Sequence, residues 1–222
     1  MYNKTIILDF DGTILRLFAN YDLDSVVKKI AHHLTKYALD FSLESDIFDA
    51  YEFVNQLDIE KKTKIKILSE VNEIIVKAEI DALKTGIMVE GFHDFINYVT
   101  KNNIPFGIVT NNSEECIEKF IDSNGKIFRC SVVGRDAIHP ERMKPSDYML
   151  KKISKIMNIN KSNMLFIGDN LRDYQCAKEY GCEFIGLTPT CKKRERMIKA
   201  AKDIVIVDDF HQLIENISVN NE

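Results

Sequence analysis

The sequence predicts an α/β protein with a doubly wound parallel sheet, interrupted after its first strand by an inserted α-helical cap. Three observations carry this. The run Thr5-Ile-Ile-Leu8 is short, apolar and β-branched, and it ends abruptly in Asp9-Phe-Asp11-Gly-Thr13, as a buried parallel strand does at its ligand-facing tip. From about Asp22 to Lys84 the chain has helical periodicity and contains neither glycine nor proline. From Phe92 onward, strand-length apolar runs alternate with amphipathic helical stretches, which implies right-handed βαβ units with helices on both faces of the sheet. On this reading residues 1–13 and 90–222 form a Rossmann-like core, and residues 14–89 form the cap.

The elements follow in order. In the cap, Val26, Val27, Ile30, Leu34 and Tyr37 keep helical spacing, as do Ile47, Tyr51 and Val54. A longer stretch carries Ile65, Leu68, Val71, Ile74, Ile75, Ala78 and Leu83, so a bundle of three or four helices is expected. Gly86 to Gly91 is the exit from the bundle. Phe92 to Thr100 reads as a helix, and Ile104 to Thr110 as a strand. Glu114 to Asn124 reads as a helix capped by Ser113 and stopped by Gly125. Cys130 to Val133 is a strand, and Pro145 to Met157 a helix with the proline in its first turn. Asn163 to Ile167 is a strand leading into Gly168-Asp169, and Leu171 to Tyr180 a helix ended by Gly181. Glu183 to Leu187 is a strand, Lys192 to Ala201 a helix, and Ile204 to Val207 a last strand before a terminal helix.

The bulk numbers narrow the class. The chain has 222 residues, 45% of them apolar, and four prolines, enough for a proper core and too few for long disordered linkers. A net charge of −4 gives no reason to expect nucleic acid or a membrane surface as partner. No apolar leader opens the chain and no run reaches membrane-spanning length, so the cytoplasm is the expected compartment. The five cysteines show no paired spacing and read as reduced, mostly buried thiols, Cys176 especially.

Polar clusters fall at the strand ends. Asp9 and Asp11 would repel each other at a strand tip unless a cation or a proton lies between them. A hard divalent cation such as Mg²⁺ suits oxygen ligands, although Asp and Gly also make plain polar turns. Thr110 ends a strand, Lys144 precedes Pro145, and Asp169 directly follows a buried strand with Asp173 one helical turn on. Taken alone, Thr110 reads more simply as part of a helix cap and Lys144 as a surface lysine.

Together these clusters resemble a known family. Asp9-Phe-Asp11-Gly-Thr13 resembles the first motif of the haloacid dehalogenase superfamily, whose members are mostly Mg²⁺-dependent phosphatases. Thr110, Lys144-Pro145 and Gly168-Asp169-Asn170-Leu171-Arg172-Asp173 resemble its second, third and fourth motifs. A helical cap after the first strand is similar to the phosphoglycolate phosphatase and β-phosphoglucomutase branch. One departure stands out: those relatives usually carry an acidic or Asp-Ser segment after the first motif, where this chain has Ile14-Leu15-Arg16-Leu17-Phe18.

The resemblance implies roles. Asp9 would attack phosphorus and form an aspartyl-phosphate, and Asp11 would act as general acid and then base. Mg²⁺ would be held by Asp9, the carbonyl of Asp11 and Asp169, with Asp173 completing or supporting the site. Thr110, the amides of Asn111 and Asn112, and Lys144 would hold phosphoryl oxygens. Arg16 and Thr13 are the candidate substrate contacts, Arg16 facing the cleft or serving as a hinge residue. The expected substrate is a small soluble phosphate ester, and the chain a monomer or homodimer. A sugar phosphomutase and a non-catalytic metabolite-binding protein on the same scaffold are the alternative readings. The pair His32-His33 points in different directions from its helix and makes a poor metal site. Lys61, Lys62, Lys64 and Lys66 read as a solvated face, and the basic run Lys192, Lys193, Arg194 and Arg196 as a solvated helix start, with an anion-binding rim the rarer reading.

Overall fold

The computed structural model describes residues 4–124, 130–188, 191–200 and 204–219. In chain order the elements are β1 (Thr5–Leu8), β2 (Leu15–Arg16), α1 (Leu23–Leu34), α2 (Asp49–Gln56), α3 (Lys61–Ala82), β3 (Ile87–Met88), α4 (Phe92–Lys101), β4 (Phe106–Val109), α5 (Glu114–Ser123) and β5 (Ser131–Val133). There follow α6 (Tyr148–Met157), β6 (Met164–Gly168), α7 (Leu171–Tyr180), β7 (Glu183–Leu187), α8 (Cys191–Ala200), β8 (Val205–Val207) and α9 (Phe210–Val219).

The parallel sheet has the order β5-β4-β1-β6-β7-β8, with β1 central and the strand order reversing between β1 and β6. That reversal is where an open α/β sheet leaves a crevice beyond its carboxyl ends. β1 alternates as a strand buried on both faces must. Ile6 and Leu8 join one cluster with Phe92, Phe95, Phe120 and Phe210, while Ile7 joins the other with Leu150, Ile153, Phe166 and Cys176. Helices α4, α5 and α9 therefore cover one face, and α6 and α7 the other.

Helices α1 to α3 build a separate cluster around Val27, Ile30, Tyr51, Val54, Leu68 and Val71, which Met143 from the core also enters. Ile14, Leu15, Leu17 and Ala82 pack instead with the sheet's cluster. A short antiparallel pair, Leu15↔Met88 and Arg16↔Ile87, ties together the two chain crossings. Two residues per strand are too few to give a periodic signal, so β2 and β3 have no counterpart in the sequence reading.

Two further expectations need correction or fall away. Pro145 is not in the first turn of a helix: the Lys144–Pro145 peptide is cis and α6 begins at Tyr148. The reason is local, since both backbone polar groups of Lys144 are taken by the Asn111 side chain, Nδ2 donating to the carbonyl at 3.1 Å and Oδ1 accepting from the amide at 2.8 Å. Gly125, expected to stop α5, lies outside the described residues, as do the side chains of Cys191 and Lys192. No helix among the described residues is long and apolar enough to cross a membrane.

Candidate active site

Asp9 leaves β1 with its amide still donating to Ile167 at 2.8 Å, so the sheet itself fixes the carboxylate at the crevice. Gly12 then turns the chain at φ +92°, a conformation that glycine adopts freely. The turn is tight because the amides of Thr13, Ile14 and Leu15 all donate to the Phe10 carbonyl. A side chain at position 12 would run into the Asp169 carboxylate, so only glycine lets the first and fourth polar clusters touch.

Lys144 is the centre of charge. Its Nζ donates to Asp9 Oδ1 at 2.5 Å, Asp173 Oδ1 at 2.6 Å and the Val109 carbonyl at 3.3 Å. Burial pulls its pKa down, but Asp173 and Asp9 outweigh that and hold the ammonium above its ordinary value. Asp173 belongs to a reciprocal cap on α7: Asn170 Oδ1 accepts from the Arg172 and Asp173 amides, and Asp173 Oδ2 accepts from the Asn170 amide. Burial pushes the Asp173 carboxyl up to about 6, against the pull of Lys144.

One carboxylate oxygen from each of Asp9, Asp169 and Asp173 lies within 4.8 Å of the others, and all three residues are buried. Such a set is stable only with compensating positive charge. Lys144 supplies part of it, and Lys193 on α8 pairs with Asp169. The donors are all hard oxygens, the chemistry Mg²⁺ prefers, so the residues fit that ion.

Asp11 faces differently. Removal from water pushes its carboxyl up to about 7; the Leu17 amide, donating to Oδ1 at 2.9 Å, opposes this, and the Asp9 charge adds to it. A carboxyl poised there can hold a proton at neutral pH and give it up, as a general acid must. Asp11 borders a cavity of about 90 Å³ that Asp9, Thr110, Lys144 and Arg172 also line, together with Phe48 of the cap. A wider cleft of about 400 Å³ continues from Phe48, Lys144 and Arg172 between α2 and the segment around Met143. On the other side, a pocket of about 210 Å³ is lined by Asp11, Arg16, Phe18, Asp169 and Lys193.

The structure thus gathers Asp9, Asp11, Thr110, Asn111, Lys144, Asp169 and Asp173 at one sheet edge. Several details differ from expectation. Thr13 is fully buried, and its hydroxyl donates to Asp9 Oδ2 at 3.5 Å, on the carboxylate around which the site is built. The Asn112 amide is spent on Thr110 Oγ1 at 3.1 Å, and the Thr110 hydroxyl donates to Asn112 Oδ1 at 2.8 Å. Asn111 serves Lys144 with its side chain. Arg16 stands exposed on β2 at the rim of the 210 Å³ pocket.

Lys193 lies in the first turn of α8 and stays partly exposed, as the basic run predicts, but its ammonium also pairs with the Asp169 carboxylate, which the basic run around it hides in the sequence. Arg172 and Phe48 line the phosphoryl-sized cavity and give no sequence signal beyond their neighbours. Glu79 is absent from the sequence reading, although a signal existed: it falls on the buried stripe of α3 with Ile75 and Ala82, an acid where an apolar residue belongs.

Comparison with known proteins agrees with this geometry. The sequence profile of the haloacid dehalogenase-like hydrolases matches residues 6–187. A phosphoglycolate phosphatase of Pseudomonas putida is 24% identical over 143 residues, a match that takes in 64% of this chain and 51% of that protein, so the likeness spans about half of the relative's length. An uncharacterized hydrolase of Saccharomyces cerevisiae is 28% identical over 185 residues, covering 81% of this chain and 80% of that one. The crystal structure of a hydrolase of the same superfamily from Entamoeba histolytica, of family IA, superposes with a TM-score of 0.69 at 16% identity, covering 97% of this chain and 99% of that one.

Proposed function

The chain belongs to the haloacid dehalogenase-like hydrolases, and from that premise we propose that it is a Mg²⁺-dependent phosphatase of small phosphate monoesters working through an aspartyl-phosphate. The observation that carries the reading is the different placement of two carboxyls at the tip of β1. Asp9 is buried against Lys144, while Asp11, two residues on, is held near pKa 7 beside the cavity.

In the first step the Asp9 carboxylate attacks phosphorus and the bond to the leaving oxygen breaks. The Asp11 carboxyl gives its proton to that oxygen, so the product departs as a neutral alcohol. In the second step water attacks the phosphorus, Asp11 takes the proton, and the bond to Asp9 breaks to release inorganic phosphate. Lys144 and the Asn111 backbone amide would hold the phosphoryl oxygens, where phosphoryl transfer needs positive charge, and Thr110 would join them on turning its hydroxyl away from Asn112 Oδ1. Asp9, Asp169 and the Asp11 carbonyl would hold Mg²⁺, with Asp173 beside them, and the ion would neutralise charge on the transferring group.

The segment 14–89 acts as the cap, and 1–13 with 90–222 as the core. Phe48 lines the 90 Å³ cavity, which has room for a phosphoryl group and little else, so the rest of a small ester would occupy the adjoining cleft. The likeness to phosphoglycolate phosphatases supports an ester of that size. The test is phosphate release from an aryl phosphate by chelator-treated protein with and without added Mg²⁺, followed by a panel of small phosphate esters. Metal-dependent release is expected; full activity without divalent metal would sink the metal assignment, and no release from any ester would sink the reading itself.

A further inference from the structure

Behind the phosphate-facing loop lies a buried ion pair that no step above uses. Glu79 on α3 and Arg135 after β5 bury their side chains to 0% and 1% exposure, and Arg135 NH1 donates to Glu79 Oε1 at 2.5 Å. The rest of the Glu79 carboxylate is spent on one segment. Oε1 accepts from Asn112 Nδ2 at 3.1 Å, and Oε2 accepts from the Ser113 amide at 3.2 Å and the Ser113 hydroxyl at 2.7 Å. Arg135 NH1 also donates to the Asn111 carbonyl at 3.1 Å, and Nε donates to Asn72 on α3 at 2.8 Å. Its guanidinium lies over the rings of Tyr51 and Phe48.

A pair so deep is poor value as a stabiliser. Removing both charges from water costs as much as their attraction returns, and apolar replacements of equal volume are often the more stable. Here a further cost is visible, because Arg135 NH2 is buried with no partner among the described residues. What the pair does secure is the conformation of residues 111–113. Asn111 in turn grips both backbone groups of Lys144, and Lys144 holds Asp9. The bonds are contiguous from a cap helix to the attacking carboxylate.

We propose that Glu79, with Arg135, is a positioning residue: the cap helix α3 supplies the carboxylate that shapes the phosphate-facing loop and, through Asn111, aims Lys144. This rests on the phosphatase reading above. The cap would then build the site as well as cover it.

The test compares Glu79→Gln and Arg135→Lys with Ile30→Ala, a change in the cap's own cluster at a side chain that makes none of these bonds. All are assayed with an aryl phosphate and Mg²⁺ at a temperature where circular dichroism shows each folded. Glu79→Gln is expected to lower kcat/KM about 10- to 100-fold, the cost of misplacing a group that orients the reacting centre. It should also weaken inhibition by inorganic phosphate, with Mg²⁺ affinity by calorimetry unchanged, because the acids near the metal are untouched. Arg135→Lys, which keeps the charge but not the fork, should show the same pattern more mildly and serves if Glu79→Gln does not fold. Ile30→Ala should melt earlier yet keep parental kcat/KM. Parental activity and phosphate inhibition in both pair variants would overturn the proposal, as would an equal loss in Ile30→Ala. A parent inactive on every ester would instead sink the phosphatase reading. The positioning role is then read from the amide resonances of Asn111, Ser113 and Lys144, which must move in Glu79→Gln and stay in Ile30→Ala.

Discussion

Asp9 and Asp11 share a turn, and on the proposed reading they divide the chemistry, so substitutions should separate them. Asp9→Asn is expected to abolish turnover, since an amide does not attack phosphorus; steady turnover in that variant would refute its role. Asp11→Asn should cost about 10²–10⁴ in rate as a lost general acid and base. On an aryl phosphate, whose leaving group needs little acid, the same variant should release a burst of phenol without matching phosphate. The raised Asp11 pKa also has a stability consequence in metal-free protein. A carboxyl at about 7 in the fold and 3.8 unstrained binds its proton more tightly when folded, so its contribution is complete below pH 3.8 and is lost as pH rises toward 7. Melting temperatures of chelator-treated protein should therefore fall across that window more steeply in the parent than in Asp11→Asn. Lys193 supplies a further residue-level test. Its pairing with Asp169 competes with any cation for that carboxylate, so Lys193→Ala should tighten Mg²⁺ binding by calorimetry; weaker binding would mean that Lys193 helps to build the site.

At the scale of elements, α7 is the piece whose start is worth most. Asn170 accepts two amides there while Asp173 returns the favour and also holds Lys144. Asn170→Ala should cost about 1 kcal/mol in denaturant unfolding, the usual worth of such a cap. It should lower kcat as well, because Asp173 loses one of its anchors. A stability loss with kcat intact would show that Lys144 alone keeps Asp173 in place. Element boundaries were mostly legible because propensity and periodicity decide them: α7 and β7 span the residues the spacing predicts, and Ser113 caps α5 by accepting from Cys116. The exception at 145–147 arose because a side chain 33 residues away, Asn111, takes the backbone groups of Lys144.

At the scale of the whole molecule, the cap divides into two parts by what holds it. α3 is tied to the core by the Glu79 and Arg135 network and by Ala82 in the sheet's cluster. Across the cleft, α2 meets the core through Tyr51 beneath the Arg135 guanidinium, through Met143 in the cap's own cluster and through the half-exposed pair Asp49 and Arg172 at 3.5 Å, the last a contact of the kind worth little. Movement of α1 and α2 over α3 would part the buried cluster that the three helices share, so it should be a costly local opening rather than a free hinge motion. Hydrogen exchange is expected to show the second half of α3 protected like β1 and β6, with α2 exchanging faster. Uniform exchange over α1 to α3 would favour a single rigid lid hinged at 16–21 and 86–91.

The sequence by itself determined the alternation of strands and helices, the helical insertion after the first strand, and the acids at the strand ends. Those follow from patterns within a few residues: the unbroken apolar run Ile6, Ile7 and Leu8, helical spacing in α1, and a glycine where the chain must turn. It could not determine which charges meet. Lys144 reaches Asp9 across 135 residues, Arg135 reaches Glu79 across 56 and Lys193 reaches Asp169 across 24. Nothing local to a lysine distinguishes one that ends in solvent from one that ends on a buried carboxylate, because the free energy of a charge is set by the burial and the partners that only the assembled fold provides.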